Sequence, residues 1–192
     1  METIWISALV VAIAEIGDKT QLLAIVLAAR FRRPIPIIFG ILAATLLNHG
    51  LAATLGYWLG KVLSGPVFQI AVGVGFLAMA VWALVPDKED EEALKRTAGG
   101  VFLTTLVAFF LVEIGDKTQI ATTLLAARFH TIGLVTVGTT LGMMAANVPA
   151  VFLGEAATKI VPLKYVRLTA AIAFAGLGVW ILLAGARLFA PT

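Results

Sequence analysis

The sequence predicts an all-α, polytopic membrane protein, with six transmembrane helices forming two inverted three-helix repeats. Three observations predict it. The 192-residue chain is 60% hydrophobic and only 13% charged, with a mean hydropathy of +1.02, whereas a water-soluble domain carries about 25% charged residues. Most of its surface must therefore face lipid. Six stretches, residues 3–29, 35–59, 66–85, 100–127, 132–154 and 165–189, each supply the roughly 20 apolar residues that a helix needs to cross a bilayer core of about 30 Å. Finally, the second half of the chain repeats the first.

The stretches are divided by breakers and charge. Arg30, Arg32, Arg33 and Pro34 separate the first two, and Lys61, Ser64 and Gly65 precede the third. Pro34, Pro36 and Pro66 suit a helix's first turn, where a missing N–H costs little. Pro149 falls inside the fifth stretch, where it is expected to bend the helix. The first stretch has no basic region before it and no cleavage signal after it, so it reads as a retained span.

The halves align at an offset of 98 without a gap. Residues 15–31 match residues 113–129 at 12 of 17 positions. The register continues through Gly40 and Gly138, Lys61 and Lys159, Phe76 and Phe174, and Trp82 and Trp180. The duplicated unit is the whole three-span block. This divides the chain into a first repeat (1–85), an acidic linker (86–98) and a second repeat (99–192). Three spans being odd, the second copy enters the membrane in the opposite sense, an arrangement that recurs in transporters.

Basic residues set the expected orientation. Nine lysines and arginines fall on the side of the odd-numbered loops and three on the other. The odd loops and the acidic linker are expected to be cytoplasmic and both termini outside. Trp5, Trp58 and Trp82 fit interfacial anchors or apolar packing. The net charge of +3 is too small and scattered for a nucleic-acid partner. Zero cysteines exclude disulfides and thiolate metal sites.

Chemistry concentrates in a doubled heptapeptide. Glu-Ile-Gly-Asp-Lys-Thr-Gln occurs at residues 15–21 and again at 113–119, inside apolar stretches where ionisable groups are costly and mark functional sites. On a continuous helix Glu15, Asp18 and Lys19 share one stripe with Gln21 beside it, as do Glu113, Asp116, Lys117 and Gln119. Thr20 and Thr118 would project away from the acids. Gly17 and Gly115 allow close backbone approach or a local loosening of the helix. Paired carboxylates suit hard cations with oxygen ligands. Each motif carries two acids and one lysine, so two facing motifs sum to a charge of −2, which one divalent cation neutralises. Close carboxylates in a low dielectric do not all stay ionised, so protons are the alternative occupant. A purely structural reading pairs Glu15 with Lys19 and Glu113 with Lys117. Asn48, His49 and Asn147 lie mid-span. His49 aligns with Asn147, and either coordination or interhelical hydrogen bonding would explain them.

The pattern Glu-x-Gly-Asp-Lys/Arg-Thr/Ser, complete at Glu15, Gly17, Asp18, Lys19, Thr20 and at Glu113, Gly115, Asp116, Lys117, Thr118, resembles the GDT-type divalent cation/proton antiporters. The resemblance covers essentially the whole chain. It implies export of Mn²⁺ or Ca²⁺ from the cytoplasm in exchange for protons, with the motif acids as the ion site. It also implies a bacterial plasma-membrane location. No resident cofactor is expected, and no enzymatic activity, because no His/Cys cluster or Ser–His arrangement is apparent in the sequence. The expected metal ligands are Glu15, Asp18, Gln21, Glu113, Asp116 and Gln119. Lys19, Lys117, Thr20, Thr118, Asn48, His49 and Asn147 stand in secondary roles. The alternative is a proton-coupled exporter of a small organic cation or amino acid, similar to the lysine exporter superfamily. Such a site calls for aromatic surfaces near the acids, and the motif neighbours are aliphatic. Small-residue spacings such as Gly56 and Gly60 permit helix contacts within a protomer or in a homo-oligomer.

Overall fold

The structure is a computed structural model that describes residues 1–63, 65–85, 100–153 and 163–186. The acidic linker (86–98) lies outside these residues, as does Lys159. Among the described residues all regular structure is helical: α1 (Glu2–Glu15), α2 (Lys19–Phe31), α3 (Pro34–Val62), α4 (Pro66–Ala83), α5 (Val101–Glu113), α6 (Lys117–Phe129), α7 (Ile132–Leu153) and α8 (Leu163–Ala186). Four of them, α3, α4, α7 and α8, are long and apolar enough to cross a membrane.

The expected continuous helices over 3–29 and 100–127 are each broken in two, at the motif. Helix α1 ends at Glu15, Ile16 is extended, and α2 starts after an extended Asp18. The second copy repeats this, with Ile114 and Asp116 at equivalent torsions. Gly17 at φ +75° and Gly115 at φ +77° occupy the left-handed region between them. There an L side chain costs about 1–2 kcal/mol and glycine almost nothing. The cause is local: a glycine stops one helix and the aspartate that follows starts the next from the N-cap position. Helix α7 runs on through Pro149 to Leu153.

Each half interlocks with the other. Helix α1 packs on α7, α5 on α3, and α3 also on α6. A Cβ on Gly40 would strike Thr105 and the Phe102 carbonyl, and one on Gly138 would strike Ser7 and the Ile4 carbonyl. These are equivalent residues at the 98-residue offset, so the two contacts are reciprocal. Gly56 and Gly60 serve close packing of α3 on α6, against the Thr123 and Ala127 carbonyls. Helices α4 and α8 pack along each other, with the equivalent residues Phe76 and Phe174 stacked at 6.4 Å between ring centroids.

Two apolar clusters result. One joins α4 and α8 to α1 and α6 around Phe76, Phe174, Met79 and Leu125. The other joins α2, α3, α5 and α7 around Leu27, Ile37, Ile41 and Phe109. Large apolar side chains also cover the outside: Leu9, Leu51, Leu55, Val67 and Ile172 are mostly exposed. A surface of that kind is satisfied by lipid. The motif acids Glu15, Asp18, Glu113 and Asp116 belong to neither cluster, yet they are buried.

Candidate cation site

The two helix breaks bring both motifs into one place. Glu15, Glu113 and Asp116 each offer a carboxylate oxygen, all within 4.8 Å of one another. Glu15 and Glu113 are fully buried, and Asp116 is 4% exposed. Glu15 comes from the end of α1, Glu113 from the end of α5, and Asp116 from the N-cap of α6. The trio therefore draws on both halves. Asp116 sits at the N-terminus of α6, where the helix dipole favours negative charge.

The break also corrects the single-stripe geometry. Thr20 and Thr118 do not project away from the acids. Thr20 Oγ1 donates to Glu15 Oε2 at 2.5 Å, and Thr118 Oγ1 donates to Glu113 Oε2 at 3.2 Å. Gln21 and Gln119 brace the breaks, their Oε1 atoms accepting from the backbone N–H of Gly17 (2.8 Å) and Gly115 (2.7 Å). Gln21 Nε2 also donates to the Ala146 carbonyl on α7 at 3.1 Å. A glutamine two residues into the second helix thus holds the left-handed glycine of the break.

The lysine pairing differs from the local i, i+4 pattern as well. Lys19 Nζ lies 3.3 Å from Asp116 Oδ1, across the two halves. Lys117 donates to the Val85 carbonyl at 2.8 Å and lies over the Trp82 ring at 6.0 Å. Asp18 is buried and lines a separate cavity of about 20 Å³ together with Gly17, Lys117, Ala83, Arg167 and Phe174, room for about one water. Val85, Trp82 and Arg167 were not legible as neighbours of the motifs. Arg167 read only as a topology signal.

Asn48, His49 and Asn147 are all buried. Asn48 Nδ2 donates to the Phe110 carbonyl on α5, and Asn147 Nδ2 donates to Met143 within α7. His49 Nε2 stands 3.9 Å from Glu113 Oε2. Several buried acceptors have no hydrogen-bond partner among the described residues: Glu15 Oε1, Glu113 Oε1, Asn48 Oδ1 and Asn147 Oδ1. Buried polar atoms are normally satisfied, and an orphaned carboxylate oxygen in a low-dielectric interior is expensive. Oxygen acceptors in surplus over donors are what a hard cation completes.

Comparison with known proteins bears on the same residues. The sequence pattern of the family described as "Divalent cation/proton antiporter GDT1" matches residues 3–91 and again 101–188. A protein of Vibrio cholerae serotype O1 described as "Putative manganese exporter" is 50% identical over 168 residues, covering 87% of this chain and 84% of its own length. "GDT1-like protein 3" of Oryza sativa is 27% identical over 205 residues, covering 93% and 72%. A GDT1-like protein of Synechocystis sp. is 28% identical over 179 residues, covering 77% and 80%. No solved structure matches the chain. The family is one of transporters rather than enzymes, and it is matched once by each copy of the motif-bearing repeat. The chain belongs to the GDT1 divalent cation/proton antiporter family.

Proposed function

We propose that this protein exports Mn²⁺, with Ca²⁺ as the competing candidate, from the cytoplasm in exchange for protons. Glu15, Glu113 and Asp116 form the centre of its site, with Asp18 at an adjoining position and Gln21 and Gln119 shaping the helix breaks. The observation that carries this reading is the buried trio of carboxylates assembled from both halves. With Lys19 paired to Asp116, the ionised trio retains two negative charges, which suits one divalent ion. Without that ion, carboxylates so close in a low dielectric take up protons instead. Occupancy by metal or by protons, and not by both, couples the two flows.

Each broken pair, α1 with α2 and α5 with α6, serves as one span, so the chain crosses the membrane six times as two inverted repeats. The reciprocal glycine contacts and the meeting of Glu15 with Glu113 and Phe76 with Phe174 support this. Discontinuous helices at the midplane are a recurring way to bind ions in transporters. The excess of lysine and arginine on the odd loops supports cytoplasmic odd loops and external termini. The Vibrio relative supports a bacterial inner membrane. An amino acid or organic cation fits poorly, because the cavity at Asp18 holds about one water and the carboxylate trio is buried.

Reconstitution into liposomes with an imposed pH gradient tests the reading, using Mn²⁺, Ca²⁺ and Mg²⁺ in turn. Mn²⁺ movement should dissipate the pH gradient, and Asp18→Asn and Asp116→Asn should each abolish exchange. Normal transport by both variants would refute the site. Cation movement without counter-moving protons would refute the coupling.

A further inference from the structure

His49 has an environment that neither core packing nor hydrogen bonding explains. It lies on α3 with no exposed surface. Neither Nδ1 nor Nε2 has a hydrogen-bond partner among the described residues. A packed structural histidine ordinarily directs at least one ring nitrogen to a carbonyl or carboxylate. Here Nε2 lies 3.9 Å from Glu113 Oε2, which is beyond hydrogen-bond range. That separation suits two atoms bound to one ion, since bonds of about 2.0–2.6 Å place neighbouring ligands roughly 3–5 Å apart.

The aligned position in the other half holds Asn147, whose amide nitrogen is committed to Met143 and whose Oδ1 is a hard oxygen. The aligned positions therefore carry different donor types, an imidazole nitrogen on α3 and an amide oxygen on α7. Ca²⁺ and Mg²⁺ take oxygen ligands. A neutral imidazole adds affinity for first-row transition ions that alkaline-earth ions do not gain. One nitrogen in an otherwise oxygen-rich shell favours Mn²⁺ over Ca²⁺, and it favours the later first-row ions more strongly still.

We propose that His49 is the specificity-determining ligand of this site, binding the transported ion through Nε2 beside Glu113 and selecting Mn²⁺ over Ca²⁺. The proposal rests on the cation-site reading above and deepens it. The test is pulsed electron paramagnetic resonance of Mn²⁺ added to the purified full-length protein. Expected is a directly coupled ¹⁴N signal that changes to ¹⁵N on selective ¹⁵N-histidine labelling. The signal should persist in His130→Asn, which alters the chain's other histidine, and vanish in His49→Asn. The labelled wild-type and His130→Asn proteins decide the point even where His49→Asn fails to fold. In liposomes, His49→Asn should lower the Mn²⁺-over-Ca²⁺ preference roughly tenfold, within the range that loss of a metal-site partner costs, while exchange still requires Asp116. Mn²⁺ that binds in a Glu113-dependent manner but shows no histidine coupling overturns the role of His49 and leaves the cation site standing. Mn²⁺ binding that survives Glu113→Gln overturns both.

Discussion

The two motifs have the same seven residues and nearly the same backbone, yet their lysines do different work. Ile16 and Ile114 share torsions to within a degree, as do Asp18 and Asp116 to within two. But Lys19 Nζ lies 3.3 Å from Asp116 of the other half, whereas Lys117, which lines the Asp18 cavity of the other half, also donates to the Val85 carbonyl and lies over the Trp82 ring. The packing differs in the same sense. Helix α4 lies on α6 and α8 lies on α1, and the exchanged contacts, α4 on α5 and α8 on α2, are not part of the main packing. Local sequence therefore dictates the break, and the surroundings dictate what each motif's side chains hold. Two copies of one motif are thus packed unequally, α6 of the second copy against α4 and α1 of the first copy against α8.

The comparison breaks most sharply at the glycines. Gly17→Ala and Gly115→Ala each force a side chain into the left-handed region, at about 1–2 kcal/mol. A Cβ on Gly115 would meet no other group within 4 Å, so its cost is backbone strain alone. Both variants should lower the thermal unfolding midpoint in detergent, Gly115→Ala by no more than Gly17→Ala. If either variant is as stable as the wild type, the break is not what the glycine is for.

A smaller effect separates the lysines. Lys19 occupies part of the charge that a metal would otherwise neutralise at Asp116. Lys19→Met should raise equilibrium Mn²⁺ affinity several-fold, on the scale of about 1 kcal/mol for a partly exposed pair. Lys117→Met should change affinity less, because Lys117 lines the adjoining Asp18 cavity and donates to the Val85 carbonyl. Titration calorimetry on the two variants checks this. Equal effects would mean that the asymmetry has no bearing on the site.

Much of this was legible in the sequence, with limits that have physical causes. The motif residues followed from charge inside apolar stretches, and their duplication from the gapless offset of 98 residues. The breaks at residues 16–18 and 114–116 were signalled by Gly-Asp, a helix stop followed by an N-cap. The apolar run continuing through Ile16 and Ile114 concealed them. That concealment misdirected Thr20 and Thr118, whose hydroxyls reach the glutamates only because the helix is broken. The contacts of Lys19 with Asp116, Gln21 with Ala146 and Asn48 with Phe110 join distant parts of the chain, the latter two across 125 and 62 positions. No local pattern encodes which helices meet. His49 was visible as a mid-span polar residue, but its two bare nitrogens are a property of the packed interior.

The central claim is that the two halves build one shared cation site. The direct measurement is the stoichiometry of Mn²⁺ binding to the purified protein, at a pH high enough that protons do not displace the metal, since ligand carboxylates must be deprotonated to bind it. One Mn²⁺ per chain is predicted, lost on Glu15→Gln alone and equally on Glu113→Gln alone. Two Mn²⁺ per chain, with each substitution removing just one, would show two independent sites and contradict the account.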